Sequence, residues 1–292
     1  MTPMQRHLLR WYRRHGRANL PWRRVRSPYR TVVSESMLAQ TQVERVIPKF
    51  ESFVERFAGF PALAAASAGD VLREWRGLGY NARAPRLRRL ARAVVENHAG
   101  VLPNDRDALL ALPGIGPYTA AAIRAFGFDL DDAPLDTNVS RVLGRLVLGA
   151  ERRAGPPSPM LAEAARTLMP RGHAHDWNSA LMDLGATTCT ARAPKCLICP
   201  LAPDCAAAPV AAAQSRPKSE SIPFEKTSRY ARGRIVDRLR ELPAGRHISL
   251  LDLHGDLAPT IERSLDEVRG LVQALVRDGL VTCTGESVAL PE

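Results

Sequence analysis

Aromatic side chains and long apolar runs are both scarce in this chain of 292 residues. Phe, Trp and Tyr together make up 5% of the residues, whereas hydrophobic residues in total make up 45%. A core that is mostly aliphatic favours packed helices over a sandwich of aromatic-rich strands. No apolar run approaches the roughly 20 residues that a membrane-spanning helix requires, so we expect no such span.

Lysine is scarce as well, and so are cysteines outside one segment. The 41 basic residues include only four lysines, Lys49, Lys195, Lys218 and Lys226. Few amine nucleophiles are therefore present for covalent chemistry. Four of the five cysteines lie within 189–205, a pattern unlike a disulfide framework. We therefore expect an intracellular protein of the cytoplasm.

Positive charge is abundant. The formal net charge is +11 at pH 7, and the sequence pI is about 10.1. An excess of this size favours a polyanionic partner, with nucleic acid first and an acidic membrane surface second. An arginine-rich proteome would produce the same excess without any such partner, so charge alone leaves that alternative open.

Most of residues 1–185 is predicted to be helical, because apolar residues recur at i, i+3 and i+4 between Pro and Gly breaks. Leu87, Leu90, Ala91 and Val94 form one such stripe. The predicted helices cover 5–15, 34–57, 68–75, 83–98, 105–112, 118–126, 138–148 and 159–168. No alternation typical of strands is present in this region.

A small unit is predicted at the C-terminus. Residues 207–222 are small and polar and read as a linker. Residues 223–292 contain predicted helices near 227–240 and 265–278, followed by a short hairpin around Thr284 and Gly285. This pattern fits equally well a winged-helix-like module and a capping unit with no activity of its own.

The clustered cysteines are Cys189, Cys196, Cys199 and Cys205, with the spacing C-x6-C-x2-C-x5-C. Four thiolates in one short loop can enclose a single metal centre, and soft sulfur ligands suit both zinc and iron–sulfur clusters. The spacing alone leaves both open. Cys283 stands apart and reads as an ordinary small hydrophobic residue.

A glycine-containing turn joins two predicted helices at 112–119. Gly114 and Gly116 allow a tight turn with outward-pointing N–H groups, and Pro117 suits the first position of the next helix. Such a turn can bind a DNA phosphate without reading sequence. An ordinary helix connection would have the same sequence pattern. Phosphate binding is therefore favoured only because the turn lies between two helices in a basic chain.

Two carboxylates lie in apolar contexts where helices are predicted to begin. Ser34 could cap a helix with Glu35 in its first turn, and Asp136 precedes Thr137 and Asn138. Helix capping is the more common role of such residues. As a pair they offer one acid and one anion, the combination that cleavage of an N-glycosidic bond requires.

Taken together, these motifs resemble the MutY-type adenine glycosylases, in the helix-hairpin-helix superfamily that includes endonuclease III. The resemblance covers about residues 5–206, and its motifs occur in the family's order. They are Leu20-Pro21-Trp22-Arg23, Ser34-Glu35, Met37-Leu38, Gln40-Thr41-Gln42-Val43, Gly77-Leu78-Gly79-Tyr80, the 112–119 turn, Asp136, Asn138-Val139, Arg141-Val142, Met182-Asp183-Leu184-Gly185-Ala186 and the four cysteines.

The resemblance implies an all-α fold with two domains and a [4Fe–4S] loop, plus the small C-terminal unit. The catalytic region would be 1–206, with a six-helix module at about 27–133 inserted into a cluster domain formed by about 1–26 and 134–206. It implies a [4Fe–4S] cluster as the cofactor of the four cysteines. The partner would be double-stranded DNA with a mismatch or an oxidative lesion, and the protein would associate with the nucleoid. We expect a monomer, because the sequence has no heptad seam.

The resemblance also assigns roles to site residues. Glu35 would protonate the leaving adenine and Asp136 would stabilise the sugar cation, with Tyr118 and Asn138 organising them. Gln40 and Tyr80 would enter the duplex near the lesion, although a core aromatic is the commoner role for a tyrosine such as Tyr80. The full set of expected DNA-binding residues is Arg23, Gln40, Tyr80, Gly114, Gly116 and Thr119.

Tyr118 stands where endonuclease III-like enzymes have a catalytic lysine, and none of the four lysines lies near the turn. We therefore expect a monofunctional glycosylase, because a Schiff-base lyase needs an amine. The sequence departs from the family at Ala39, Asn81 and Thr137, and residues 217–292 are too short for the usual NUDIX-like domain.

Two rival functions remain. The first is a glycosylase that removes thymine or uracil from mismatches with guanine, since relatives of that specificity also lack the NUDIX-like domain and have tyrosine at the turn. The second, of another class, is a non-catalytic iron–sulfur DNA-binding protein. The presence of both Glu35 and Asp136 argues against the second.

Overall fold

The computed structural model describes residues 1–149, 157–209 and 222–292. The described residues form fifteen α-helices and one three-stranded sheet. The helices are α1 (Pro3–His15), α2 (Pro21–Arg24), α3 (Pro28–Leu38), α4 (Val43–Arg56), α5 (Phe60–Ala65), α6 (Ala68–Glu74), α7 (Arg83–His98), α8 (Arg106–Leu110), α9 (Pro117–Ala122), α10 (Thr137–Leu148), α11 (Pro159–Leu168), α12 (Ala174–Thr187), α13 (Ser228–Glu241), α14 (Leu250–Leu257) and α15 (Leu265–Arg277).

The contacts divide the chain into two units. The first comprises Met1–Glu35, Leu102–Ala111 and Ile115–Pro217, and the second comprises Ser36–Val101, Leu112–Gly114 and Lys218–Glu292, each in its described part. This division does not follow the expected domain boundaries, which stay a prediction. The expected linker, 207–222, lies outside the described residues except for 207–209 and 222.

The core of the first unit is formed by α1, α10, α11 and α12. Leu8, Leu143, Trp177 and Leu181 are among its fully buried side chains. Helix α1 begins with a capping box, in which Thr2 accepts from the Gln5 amide and the Gln5 side chain accepts from the Thr2 amide. The reciprocal bonds satisfy two amides that would otherwise lack partners.

The second unit contains α4–α7 and the C-terminal elements. The predicted stripe on α7 is buried as expected, with Leu87, Leu90, Ala91 and Val94 all in the core. After α13, strand β1 (Ile248–Ser249) precedes α14 and α15, and strands β2 (Thr282–Thr284) and β3 (Ser287–Ala289) follow. The sheet is antiparallel in the order β1-β3-β2.

This C-terminal order of elements is that of a winged-helix module, one of the two alternatives that the sequence left open. The hairpin turns at Gly285, whose φ of 59° lies in the left-handed region. Strand β1 and helix α14 had not been predicted. The spacing of Leu250, Leu253 and Leu257, all buried on one face of α14, was the available signal.

One predicted helix, 34–57, is wrong, because the structure has two helices there. Helix α3 begins at Pro28 and ends at Leu38, and α4 begins only at Val43. Between them Gln40 has a φ of 60°, a left-handed conformation that interrupts a helix. No helix in the described part of the chain has both the length and the apolarity to cross a membrane.

Candidate active site and cysteine cluster

Glu35 lies about two turns into α3 rather than in its first turn, because the helix already begins at Pro28. The expected cap at Ser34 is therefore wrong. The Ser34 hydroxyl is buried and donates to the Thr31 carbonyl at 3.0 Å. Glu35 instead shares a side-chain hydrogen bond with Tyr118 of α9. Its carboxyl group is thus free of any capping role.

The surroundings of Glu35 favour its neutral form. The pKa of Glu35 is raised from 4.5 to about 7, chiefly by burial and in part by the nearby Asp136, while the Tyr118 hydrogen bond and Arg23 oppose the rise. Burial also raises the pKa of the Tyr118 phenol well above 10, so that Tyr118 keeps its proton as a donor. A carboxyl group with a pKa near 7 can donate a proton at neutral pH.

Asp136 occupies the position that caps α10. Its Oδ1 accepts from the Val139 amide at 2.6 Å. Burial raises the pKa of Asp136 above its ordinary value, while hydrogen bonds from Val139 and Asn138 and the charge of Arg141 oppose that rise. The two acids therefore differ in environment, since Asp136 has several donors that stabilise its ionised form.

Asn138 links this acid to the neighbouring helix. Its side chain hydrogen-bonds to Asp136, and its Oδ1 accepts from Arg141 Nη2 at 2.8 Å. Gly185 of α12 packs directly against it, because a Cβ atom added at Gly185 would lie 2.8 Å from the Asn138 Cβ. The glycine of the Met182–Ala186 motif thus permits the close approach of α10 and α12.

Arg23 contacts Asp183, a fully buried carboxylate. Asp183 accepts from Arg23 Nη1 at 2.7 Å, from Arg17 Nε at 2.7 Å and from the Arg17 amide at 2.8 Å. Arg23 also carries the charge that lowers the pKa of Glu35. The structure therefore gives Arg23 a role inside the protein, and its DNA-binding role stays a prediction.

The glycine turn has the conformation that its sequence predicts. Gly114 has a φ of 85°, and Gly116 precedes Pro117, the first residue of α9. A Cβ atom added at either glycine would meet nothing within 4 Å. The backbone of the turn is thus open on its outer side, where a phosphate could approach, and Thr119 lies half-buried in the helix that follows.

Gln40 and Tyr80 share an uncommon backbone conformation. Their φ values are 60° and 45°, and such strain at non-glycine residues is typical of functional sites and costs on the order of 1–3 kcal/mol. Tyr80 is 41% exposed and Gln40 is also exposed. Tyr80 is therefore no core aromatic.

Arg83 was missed by the sequence reasoning, and it holds the two strained loops together. Its guanidinium donates to the carbonyls of Ser36, Met37 and Ala39 at the end of α3. It also donates to the carbonyls of Leu78 and Gly79, just before Tyr80. Its place at the start of α7, before the buried stripe, is too ordinary for sequence to reveal this role.

The four clustered cysteines line one cavity of about 400 Å³, a volume that includes space open to solvent. Its apolar wall is formed by Val142, Leu146, Leu184 and Leu201. Burial and the three neighbouring thiols raise the pKa of Cys199. Among the described residues, no three His, Cys, Asp or Glu side chains are close enough to hold a single metal ion.

Two arginines of α10 anchor the cysteine loop. Arg145 donates to the carbonyls of Thr190 and Ala191 and approaches Cys189 Sγ at 3.4 Å. Arg141 donates to the Cys189 carbonyl at 2.8 Å. Both side chains are buried, so the loop is attached to the helix that Asp136 caps.

Known proteins resemble this chain in both sequence and fold. Residues 33–170 match the model of the HhH-GPD superfamily base excision DNA repair proteins. The adenine DNA glycosylase of Mycolicibacterium smegmatis is 40% identical over 295 residues, covering 96% of this chain and 95% of the relative. That of Mycobacterium tuberculosis (strain CDC 1551 / Oshkosh) is also 40% identical, covering 98% and 92%.

The chain belongs to the MutY-type adenine DNA glycosylases. A solved structure of a thermostable thymine-DNA glycosylase is similar in fold, with a TM-score of 0.65 and 31% identity over 70% of this chain and 94% of that one. The mycobacterial alignments extend into the C-terminal unit, whereas that structure covers a smaller share of the chain. Family membership and the all-α fold expected from the sequence are both confirmed.

The structure shows the surroundings of Thr137 and Asn81, two positions where the sequence was expected to depart from the family. Thr137 is the first residue of α10 and is exposed beside Asp136. The Asn81 side chain accepts a hydrogen bond from Arg240 Nη2 at 2.8 Å. The residue after Tyr80 is therefore held by the C-terminal helix α13.

Proposed function

We propose that the protein is a monofunctional DNA glycosylase that flips adenine out of mispairs with 8-oxoguanine or guanine and hydrolyses its N-glycosidic bond. The observation that carries this proposal is the Glu35 carboxyl group, with its pKa raised to about 7, beside Asp136 and Tyr118. Membership of a family of adenine glycosylases supports adenine as the base.

Glu35 protonates the adenine as it leaves, because adenine is a poor leaving group as an anion and a better one once it is protonated. Tyr118 donates to Glu35 and orients it. Asp136 is held by the Val139 amide and by Asn138, and its negative charge stabilises the oxocarbenium-like sugar. Water then completes the hydrolysis.

DNA is bound through three parts of the chain. The outer face of the turn at Gly114 and Gly116 takes a backbone phosphate, with Thr119 beside it. Tyr80 and Gln40 enter the duplex, where they keep the flipped base out of the stack. Flipping a base costs a few kcal/mol, and side chains on backbones with the defined left-handed conformation of these two residues suit that task.

The cysteine cavity fits a [4Fe–4S] cluster, because the four thiols line one cavity with an apolar wall and thiolates are the protein ligands of such clusters. Cys189, Cys196, Cys199 and Cys205 would hold the cluster, and it would cross-link the 189–205 loop, which Arg141 and Arg145 attach to α10.

A thymine or uracil glycosylase acting opposite guanine is the second candidate, favoured by the similarity to the thymine-DNA glycosylase structure. The test is single-turnover excision from four duplexes, with A opposite 8-oxoguanine, A opposite G, T opposite G and U opposite G, each read with and without alkali. We expect release from the adenine duplexes, with strand breaks only after alkali and no trapping by borohydride.

Release from the T or U duplexes alone would favour the second candidate. Strand cleavage without alkali, or a borohydride-trapped complex, would contradict monofunctional chemistry. No release from any duplex, with binding retained, would favour the non-catalytic DNA-binding protein instead.

A further inference from the structure

The C-terminal unit directly contacts the exposed wedge tyrosine. Arg229 at the start of α13 donates from Nη1 to the Tyr80 hydroxyl oxygen at 2.8 Å. Its guanidinium carbon lies 5.0 Å from the centre of the Tyr80 ring and 5.0 Å from the centre of the Phe224 ring. Phe224 is itself packed edge-on against Tyr230, with 5.5 Å between ring centres. Arg229 is thus stacked in a fixed position on Tyr80.

Arg229 differs in its contacts from the arginines of the C-terminal unit that pair with carboxylates. Arg232 pairs with Asp278, Arg238 with Asp256 and Arg263 with Glu267. Within the ranges that the structure describes, the recorded partners of the Arg229 guanidinium are aromatic. A guanidinium over an aromatic face is attracted to the ring even at an exposed site.

A second arginine of α13 holds the adjoining residue. Arg240, only 7% exposed, donates to Asn81 Oδ1 and to the Leu72 carbonyl, both at 2.8 Å. One C-terminal helix therefore holds Tyr80 through its first turn and Asn81 through its last. The C-terminal unit thus contacts the loop that contains Tyr80 and Asn81. A capping unit without a role in recognition would not need these contacts.

We propose that Arg229 is a positioning residue for Tyr80, through which the C-terminal unit takes part in recognising the damaged pair. This inference rests on the proposed function. Arg229 keeps the Tyr80 ring in the orientation that enters the duplex, so the free protein does not have to order the ring on binding. Pre-organisation of this kind increases affinity only where the ring is used.

The test compares two duplexes of the same sequence, one with a non-cleavable adenine analogue opposite 8-oxoguanine and one fully matched. We expect Arg229→Ala to raise the Kd of the lesion duplex about fivefold and that of the matched duplex less than twofold. Arg229→Lys keeps the charge but loses the planar guanidinium that stacks on the ring, so it should recover only a small part of the loss. Arg238→Ala, an arginine of the same helix paired with Asp256, is the matched control and should change neither Kd.

A double-mutant cycle separates positioning from a direct effect. In a Tyr80→Ala background, Arg229→Ala should cause less than a twofold further change. Equal losses on both duplexes, which a simple phosphate contact would produce, would overturn the inference, as would additive losses with Tyr80→Ala. Wild-type protein that releases no adenine would instead contradict the proposed function, whereas an active enzyme whose lesion preference is unchanged in Arg229→Ala would overturn only this inference.

Discussion

Glu35 is a residue whose charge works against folding. Its pKa is about 7 in the folded protein, against 4.5 for an ordinary glutamate. Between these values the folded state holds a proton that the unfolded state has released, so the free energy of unfolding falls as the pH rises from about 4.5 to 7. Active sites commonly retain such destabilising groups because the chemistry needs them.

Replacing Glu35 with glutamine should therefore stabilise the protein at high pH. At pH 8 we expect Glu35→Gln to raise the free energy of unfolding by up to about 3 kcal/mol, and this gain should shrink towards pH 4. Urea unfolding at both values measures it. Glu163→Gln is the control, because Glu163 is exposed and Arg166 lowers its pKa. A gain of equal size at pH 4 and pH 8 would contradict the account.

Unlike the charge of Glu35, the negative charge of Asp183 stabilises the folded state, because Arg23 and Arg17 lower the pKa of this buried carboxyl group. Asp183→Asn leaves the nearly buried guanidinium of Arg23 without its carboxylate, and removing one partner of a buried pair costs about 3–5 kcal/mol. Asp70→Asn, which breaks the more exposed pair with Arg56, should cost less than about 1 kcal/mol. Denaturant unfolding of both variants should show this contrast, and similar losses would contradict it.

Residue patterns alone could not separate the two acids from ordinary helix caps. The capping interpretation holds for Asp136, which does cap α10, and fails for Glu35, whose helix begins at Pro28. The family resemblance singled out the pair, whereas burial and the Tyr118 hydrogen bond depend on tertiary structure. Neither the anchoring of Asp183 nor the contact of Arg83 with residues 36–41 has a local sequence signal, because these partners lie more than 40 residues away in the sequence.

Among the helices, the packing of α10 against α12 decides where Asp136 and Asn138 lie. Gly185→Ala would place a methyl group 2.8 Å from the Asn138 Cβ, and overpacking of this kind costs about 1–3 kcal/mol. We expect thermal unfolding at a lower temperature and slower excision, since the acid that caps α10 would shift.

The matched control for that substitution is Gly270→Ala in α15, where an added Cβ meets nothing within 4 Å. Alanine is the better helix former, so this variant should gain roughly 0.5–1 kcal/mol. Equal stability changes at positions 185 and 270 would show that Gly185 is not a close-packing residue.

Helix periodicity predicted most helices well and failed where tertiary contacts override it. The predicted helix 83–98 matches α7, and 159–168 matches α11. The predicted helix 34–57 failed because four hydrogen bonds from Arg83 to residues 36–41 stabilise a non-helical loop between α3 and α4. The short helices α2 and α5 and the longer α12 were not predicted, although α12 contains the motif that carried part of the resemblance.

At the scale of the whole molecule, the spacing of the four clustered cysteines predicted that they lie close together, and in the structure they line one cavity. We expect Cys199→Ala to abolish bound iron and its visible absorbance, and to lower the thermal stability of the holoenzyme, since the loop loses its cross-link. Cys283→Ala, at the exposed fifth cysteine, should keep both. Full iron content in Cys199→Ala, or equivalent zinc in the wild type, would contradict the assignment.

If Glu35 is the acid that releases the base, the pH dependence of single-turnover adenine excision should show its titration. The excision rate should fall as the pH rises through about 7, where Glu35 loses its proton. In Tyr118→Phe the falling limb should shift to higher pH, because the hydrogen bond that lowers the pKa of Glu35 is lost. A rate that increases through pH 7, or a Glu35→Gln variant that releases adenine at the wild-type rate, would contradict this role of Glu35.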